Sequence, residues 1–264
     1  MKIKHPKKSL GQNFLTDKNV ADIIVNIGDI KKNDTVLEVG PGTGNLTEKI
    51  LSKNPREIFA IEKDKSLVKK LHERFREKII LINDDILKID EKKYSNDPMI
   101  VFGNLPYNIS TQILIKWIRY NNLNNTFKKF ILMFQKEVAE RIIAETHEKN
   151  YGRLAVISSW KLNIKKVTDV LPNSFYPIPK VKSTVLLIEP KNEYFNLKNM
   201  KNLEHITNIF FNQRRKMIKK PLNIIFKNVN EISKKLNINI NDRPQNLSSL
   251  KYFEICKEYE SLNL

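Results

Sequence analysis

The chain has 264 residues, enough to bury a full core in one large domain or in a large and a small one. It carries 47 Lys and Arg against 29 Asp and Glu, a formal net charge of +18. This excess favours a polyanion such as nucleic acid as the partner, although a Lys- and Asn-rich amino-acid composition of genomic origin would also produce it. Its single cysteine excludes a disulfide framework and a zinc knuckle, and its apolar runs are too short to cross a membrane, so we expect a cytoplasmic protein.

The first half of the chain alternates short apolar runs with amphipathic segments. The runs predict strands over residues 35–40, 58–61, 79–82, 99–103 and 130–134, with helices between them. Strands that alternate with helices form parallel sheets with right-handed crossovers. The predicted fold class is therefore α/β, with a doubly wound, Rossmann-like sheet.

A glycine-rich turn, Gly-Pro-Gly-Thr-Gly at residues 40–44, leads from the first strand into a helix. Gly40 and Gly42 would let the backbone approach a ligand closely, although an ordinary tight turn has the same composition. The dinucleotide pattern G-x-G-x-x-G lacks its third glycine, because Asn45 stands there, and there is no P-loop pattern. A nucleoside cofactor without a pyrophosphate fits better, and S-adenosylmethionine is the common one.

Polar side chains end three successive strands. Glu62 lies about 20 residues after Gly40, where dinucleotide-type folds place an acid on ribose hydroxyls. Asp85 ends the next strand, with Asp84 as the alternative, and Asn104 ends the fourth. Because parallel strands end at one edge of a sheet, we expect these side chains to share a ligand site, although Glu62 alone would also suit a solvated strand end.

The fourth strand runs into the turn Asn104-Leu105-Pro106-Tyr107. Pro106 fixes its own φ and biases Leu105 towards an extended conformation, so nearby carbonyls have set directions. The amide oxygen of Asn104 and a backbone carbonyl can both accept from one planar amino group, and Tyr107 can stack on the ring that carries it. An exocyclic base amine can donate to both acceptors and belongs to a ring that can stack. Alternatively, Asn104 has only a structural role and caps the following turn.

The second half of the chain changes character near residue 190. A helix is predicted over 154–160, and two strands over 163–170 and 181–188 are predicted to form a closing antiparallel pair. The tail is helical in pattern and carries a basic run, which is either an RNA contact or a solvated helix face. The run consists of Arg214, Arg215, Lys216, Lys219 and Lys220. We expect a first domain over residues 1–190 and a small helical domain over 191–264.

The four histidines are scattered and have no carboxylate or cysteine partners at ligand spacing, so no metal site is predicted. Phe175 lies between the two closing strands in a proline-containing loop and is either a base-stacking residue or part of the core.

Several segments together resemble one family, the ribosomal RNA adenine N6,N6-dimethyltransferases, and in particular their small-subunit branch. The segments are residues 11–15 (GQNFL), 37–44 (LEVGPGTG), 104–110 (NLPYNIS), 134–139 (FQKEVA), 177–181 (PIPKV) and 211–216 (FNQRRK). Leu105, where the resistance enzymes of a sibling branch more often carry Ile, is similar to the small-subunit branch. One departure is Ile178, which stands where the family commonly has the middle proline of F-x-P-P-P.

The resemblance implies a class I methyltransferase sheet with a small all-helical C-terminal domain. It implies N6,N6-dimethylation of two adjacent adenosines in a hairpin near the 3′ end of small-subunit rRNA, late in 30S assembly. The residues it assigns to S-adenosylmethionine are Asn13, Leu15, Gly40, Glu62, Asp85 and Asn104. Tyr107 and Phe175 would sandwich the target adenine, and we expect a monomer without metal or membrane partner.

Other functions are compatible with parts of this pattern. A large-subunit rRNA adenine methyltransferase of the macrolide-resistance type would share the fold and the turn at residues 104–107. A non-catalytic ribosome-assembly factor would keep the basic surface but would not need that turn. A nicotinamide dehydrogenase would need the missing third glycine.

Overall fold

The structure is a computed structural model that describes residues 6–7 and 11–262. The ends of the two predicted domain ranges, at residues 1 and 264, lie outside this part of the chain. Among the described residues, no helix is long and apolar enough to span a bilayer.

The described residues form one large sheet and one small ribbon. The strands are β1 Phe14–Leu15, β2 Thr35–Val39, β3 Glu57–Ile61, β4 Ile80–Ile82, β5 Met99–Asn104, β6 Phe127–Gln135, β7 Leu162–Val170, β8 Phe175–Tyr176 and β9 Ser183–Pro190. The large sheet has the order β4-β3-β2-β5-β6-β9-β7, and the ribbon pairs β1 with β8. The Rossmann-like doubly wound sheet predicted from the sequence is confirmed. The two strands predicted to pair with each other, β7 and β9, are neighbours at its edge, and β9 also pairs antiparallel with β6.

The five strands from β4 to β6 are parallel, and the central ones are buried on both faces. All of β2 is buried, as are the first five residues of β5, which matches the continuous apolar runs of these strands. In this register Val39 lies beside both Ile61 and Gly103. The residues that follow these three positions therefore meet at the carboxyl edge of the sheet, and they are Gly40, Glu62 and Asn104.

Helices connect most of the strands, and in the described part of the chain four more follow the last strand. They are α1 Lys18–Gly28, α2 Asn45–Leu51, α3 Lys65–Phe75, α4 Ser110–Ile118, α5 Leu123–Thr126, α6 Lys136–Ile143, α7 Arg153–Lys161, α8 Met200–Phe211, α9 Lys219–Ile225, α10 Val229–Lys235 and α11 Ser249–Leu262. The first turns of α1 and α3 are capped by Asp17 and Asp64, whose carboxylates accept from backbone N–H groups that lack helical partners.

The ribbon is too short to be visible as a sequence pattern. Phe14 pairs with Tyr176 and Leu15 pairs with Phe175 in antiparallel register. Side chains directly opposite each other share a face of a ribbon, so Leu15 and Phe175 point together into the core of the first unit. Tyr176 points outward and is half-exposed.

The chain divides into two compact units whose boundary differs from the predicted one. The first contains residues up to Ala139 together with Asn163–Pro190, and the second contains Glu140–Leu162 together with Lys191–Leu264. Residues 140–162 join the second unit because their polar groups bond within it: the Trp160 Nε1 donates to the Phe195 carbonyl at 2.7 Å, and the Tyr151 hydroxyl donates to the Leu247 carbonyl at 3.0 Å. The second unit is helical, as expected, but begins earlier in the sequence than residue 191.

Candidate active site

A cavity opens in the first unit at the carboxyl edge of β2, β3 and β5. All the residues predicted to bind the cofactor line it: Asn13, Leu15, Gly40, Gly42, Glu62, Asp85 and Asn104. Leu105, Pro106 and Tyr107, which were predicted to act on the substrate, line the same cavity. Segments far apart in the sequence are therefore brought together as predicted, at the edge where open α/β sheets bind ligands.

The glycine-rich turn forms one wall of this cavity. Gly42 has a φ of +59°, a conformation that L side chains rarely adopt, and a Cβ there would lie 2.8 Å from the Phe14 ring. The Gly42 N–H donates to the Glu62 carboxylate at 3.2 Å. A side chain at position 42 would therefore strain the turn and push Phe14 out of the wall.

Glu62 is buried and held in one orientation. Its Oε1 accepts from the Asp64 N–H at 2.9 Å, while its Oε2 accepts from Gly42. Burial raises the pKa of this carboxyl, and the two backbone donors oppose that shift. Each oxygen keeps a second lone pair, so the group can accept hydrogen bonds from vicinal hydroxyls of a ligand without losing its own anchors.

The segment 11–15 covers part of the cavity and is fixed by three side chains. Gln12 donates to the Asp64 carboxylate at 3.1 Å, and the Asn45 amide donates to the Leu15 carbonyl at 2.7 Å. Asn45 occupies the position of the missing third glycine, and its side chain has this different task. The third bond comes from Asn104, whose Nδ2 donates to the Asn13 carbonyl at 2.7 Å.

The bond from Asn104 to the Asn13 carbonyl also settles which edge of the Asn104 amide carries its oxygen. Because the Nδ2 edge is directed at the Asn13 carbonyl, the opposite edge of the amide presents an acceptor. Leu105 is buried, which holds the following turn against the sheet. The arrangement can accept a hydrogen bond from an amino group but offers no general base of high basicity.

Both acids at the end of β4 line the cavity. Asp85 forms an ion pair with Lys63 at 2.9 Å and accepts from the Leu87 N–H at 3.0 Å. Burial works to raise the pKa of Asp85, but the Lys63 contact and the backbone donor outweigh it and lower the pKa. Asp84 accepts from the Asp85 N–H at 2.6 Å. The choice of Asp85 as the cofactor contact stays a prediction.

Tyr107 is fixed through its hydroxyl by a residue that sequence reasoning missed. Its oxygen lies 2.7 Å from the Ser183 Oγ, and Ser183 is fully buried at the start of β9. Ser183 carries no sequence signal of its own, because its partner lies 76 residues away. The bond orients the ring of Tyr107 at the cavity wall.

Ser183→Ala should therefore weaken substrate use without abolishing it. Losing one neutral hydrogen bond costs about 1 kcal/mol, so we expect kcat/KM for the substrate to fall about 5-fold, mainly through KM. Tyr107→Phe should have a similar effect, and the double variant should be no worse than either single one. Ser158→Ala, which truncates another fully buried serine, is the control. Additive losses in the double variant would contradict the positioning role of Ser183.

Glu38 was also missed, although a glutamate inside a wholly buried strand is itself a signal. It lines the cavity and is fully buried, and its Oε2 has no hydrogen-bond partner among the described residues. Burial raises its pKa from the ordinary value of 4.5 to about 7, and the nearby Glu62 adds to the shift. Such a group suits a positively charged ligand atom, which would supply the missing partner.

The raised pKa of Glu38 makes stability depend on pH. Below about pH 4.5 the carboxyl is neutral in both states, and between 4.5 and about 7 only the unfolded chain releases the proton. The free energy of unfolding should therefore fall as pH rises through this window, by about 3 kcal/mol from this group. Urea unfolding of the protein from pH 4 to 9 should show this fall in wild type. The fall should be clearly shallower in Glu38→Gln, where Glu62, whose pKa is also raised, still contributes. Glu57→Gln, on an exposed residue of β3, should keep it; parallel curves for both variants would refute the assignment.

Phe175 does not line the cavity. Only 2% of it is exposed, and it packs in the core cluster of the first unit with Leu15. This placement differs from the expected stacking role, because the alternation along β8 turns Phe175 inward and Tyr176 outward.

The basic run of the second unit separates into two parts. Arg214 donates through Nε to the Gln245 side chain at 3.0 Å and also bonds to the Lys149 carbonyl, so it holds the unit together. The other four residues are exposed and line a groove, named here the basic groove, which also includes Met217, Asn223, Asn241 and Arg243. The four are Arg215, Lys216, Lys219 and Lys220. Backbone bonds from Ile218 to Asp242 and from Lys219 to Ile240 fix its two sides.

Within residues 6–7 and 11–262, no group of three or more His, Cys, Asp and Glu side chains is placed to hold a metal ion. Cys256 is buried, and burial raises the pKa of its thiol to about 12, so it is no nucleophile.

A sheet with five parallel strands, a glycine-rich turn after β2, an acid at the end of β3 and an amide-proline-aromatic turn after β5 together define a class I methyltransferase. Solved structures agree with this class. A dimethyladenosine transferase from Plasmodium falciparum superposes with a TM-score of 0.82 at 26% identity, covering 95% of this chain and 98% of that one. The 23S rRNA methyltransferase ErmE superposes with a TM-score of 0.68 at 23% identity over 93% and 99%, which shows a shared fold.

The chain belongs to the ribosomal RNA adenine dimethylase family, whose model matches residues 3–261. Among similar curated proteins, Ribosomal RNA small subunit methyltransferase A of Pelagibacter ubique is 56% identical over 256 residues, 97% of each chain. The protein of the same name from Ehrlichia ruminantium is 42% identical over 256 residues, 96% of each chain. The family resemblance drawn from the sequence motifs is thus confirmed.

Proposed function

We propose that this protein uses S-adenosylmethionine to dimethylate the N6 atoms of adenosines in small-subunit rRNA. The observation that carries the proposal is the anchored amide of Asn104, which presents an oxygen acceptor beside Pro106 and Tyr107 in the cavity. The relatives from P. ubique and E. ruminantium are named as small-subunit rRNA methyltransferases, which supports the same substrate.

The cavity fits S-adenosylmethionine by the chemistry of its lining. The oriented carboxylate of Glu62 suits ribose hydroxyls, and Asp84 or Asp85 at the end of β4 suits the adenine amine. The buried Oε2 of Glu38 lacks a partner among the described residues and suits the cationic end of the cofactor. At Gly40 the turn leaves open space that a Cβ would enter, since the nearest atom to that Cβ would be the Asn104 carbonyl oxygen at 3.9 Å. When bound, this cofactor supplies an electrophilic methyl group.

The turn after β5 is suited to activate an adenine amine. The lone pair of that amine is delocalised into the ring, so the amine is a poor nucleophile until its two N–H groups are drawn out of the ring plane. The Asn104 oxygen and a carbonyl of Leu105 or Pro106 can accept these two hydrogens. Tyr107 can stack on the base, which offsets part of the few kcal/mol needed to unstack it from the RNA.

Positioning is the main catalytic device in this proposal. An aligned pair of reactants gains roughly 7–11 kcal/mol over the reaction in free solution. No strong base is required, because the methylated ammonium is acidic and releases its proton readily. One N–H remains after the first transfer, so a second transfer to the same nitrogen can follow once the cofactor is replaced.

The target nucleotides in this proposal are two adjacent adenosines of the hairpin near the 3′ end of the rRNA, within the assembling 30S particle. The basic groove supports an RNA partner, since its five cationic side chains and two amides match phosphate and sugar oxygens. We also propose that the enzyme is a monomer, acts in the cytoplasm and needs no metal ion.

The proposal is tested by offering 30S particles, 50S particles and protein-free rRNA with radiolabelled cofactor. We expect label in 30S particles, recovered after nuclease digestion as N6,N6-dimethyladenosine, and inhibition by S-adenosylhomocysteine. Label in 50S particles alone would instead indicate a large-subunit enzyme. Binding to 30S particles without any label would indicate an assembly factor with no methyl transfer.

A further inference from the structure

Residues 176–183, named here the rim segment, are attached at both ends to the wall of the cavity. At one end Tyr176 pairs with Phe14, whose ring packs on the glycine-rich turn. At the other end the Ser183 Oγ bonds to the Tyr107 hydroxyl at 2.7 Å. Because Phe14 and Tyr107 both line the cavity, the rim segment lies at its edge.

The rim segment presents an unusual surface to solvent. Ile178 is 69% exposed, the highest fraction of any large apolar side chain among the described residues, and Tyr176 is 48% exposed. Lys180 and Lys182 are exposed beside them, and no acidic residue occurs between residues 171 and 183. Val181 is 44% exposed as well, so three large apolar side chains are exposed within one short stretch. Clusters of exposed apolar side chains mark interaction sites, and the tip of the rim segment at Ile178 is therefore expected to meet a partner.

The tip is also stiff. Ile178 stands between Pro177 and Pro179, and each proline fixes its own φ and restricts the residue before it. The tip therefore cannot fold Ile178 back onto the protein at low cost. A flexible basic loop would bind phosphates but would not insert between bases. The rim segment differs because its tip is a rigidly held apolar side chain with cationic neighbours.

We propose that the rim segment is a wedge that takes the place of the target adenine in the RNA stack. This role rests on the proposed function. An adenine must leave its stack before its amine can reach Asn104. Ile and Pro side chains inserted between base steps are a recurrent means of unstacking nucleic acid. Tyr176 supplies a ring face for the base next to the gap, and Lys180 and Lys182 contact the flanking phosphates.

RNA suits the rim segment better than a protein partner does, because the segment is basic without any acid and adjoins the site for the amine. The test uses Ile178→Ala, with Leu171→Ala as the control, since Leu171 is 52% exposed but lies outside the rim segment. The first readout is the fluorescence of 2-aminopurine at the target position in 30S particles reconstituted with that rRNA. Binding of wild type or Leu171→Ala should change this fluorescence, because the base exchanges its RNA neighbours for the protein, whereas Ile178→Ala should leave it at the value of the free particles.

The second readout is methyl transfer to two rRNAs, one intact and one with an abasic nucleotide beside the target adenosine. Ile178→Ala should lower kcat/KM about 10-fold on the intact rRNA and less than about 2-fold on the rRNA already unstacked. A fluorescence change with Ile178→Ala equal to that with wild type, or an equal loss of kcat/KM on both rRNAs, would overturn the wedge. If wild type transfers no methyl to either rRNA, the proposed function itself fails, whatever the variants do.

Discussion

Asn104→Ala is expected to lower the rate of methyl transfer to RNA by at least roughly 10²–10³-fold. The variant loses the acceptor proposed to draw the amine hydrogens out of the ring plane, and it loses the bond to the Asn13 carbonyl that fixes the cavity wall. Affinity for 30S particles should stay within about 2-fold, because in the proposed complex the amide meets one base and no phosphate. Methyl incorporation and a filter-binding assay on the same particles measure the two quantities.

The control for Asn104→Ala is Asn125→Ala, which removes the same side chain from an exposed position in α5. It should keep wild-type activity. Thermal unfolding of both variants shows whether the missing bond to Asn13 unfolds the protein, and we expect a loss near 1 kcal/mol at most. Methyl incorporation by folded Asn104→Ala at a wild-type rate would refute the role given to the amide.

Removing the cations of the basic groove is expected to have the second large effect. A variant with alanine at Arg215, Lys216, Lys219 and Lys220 should bind RNA roughly 10²–10³-fold more weakly near 0.15 M salt. The slope of log affinity against log salt should flatten by roughly one unit for each phosphate that the variant no longer binds. Because Arg214 bonds within the second unit, it is left in place.

A charge-matched control separates this local effect from the general positive field. It replaces four exposed lysines outside the basic groove, namely Lys32, Lys53, Lys69 and Lys234. Both variants lose the same formal charge, so a long-range effect alone would weaken binding equally. An equal slope in both would remove the basic groove from the RNA-binding surface.

The sheet and most of the cavity were predictable because their signals are local. Continuous apolar runs give buried parallel strands, and a polar residue directly after such a run must lie at the carboxyl edge. Glu62, Asp85 and Asn104 could therefore be assigned to one site from sequence alone, and all three line the cavity.

The features that were not predicted depend on contacts between distant parts of the chain. A ribbon of two residue pairs has no periodicity to detect, and Ser183 matters only because a hydroxyl 76 residues away reaches it. Residues 140–162 join the second unit through bonds such as that from Trp160 to Phe195. The inward turn of Phe175 follows from the ribbon register, which the motif around it does not reveal.

The pairing of Phe14 with Tyr176 has a consequence for the order of events during protein synthesis. The strand that carries Asn104 leaves the ribosome long before residues 175 and 176 do. A nascent chain can assemble the parallel strands early, but the wall that holds Phe14 and Leu15 gains its partner only when β8 emerges. We therefore expect methyltransferase activity to arise late in translation. A truncated polypeptide that ends before β8 would leave Phe14 and Leu15 of the cavity wall without their partner strand.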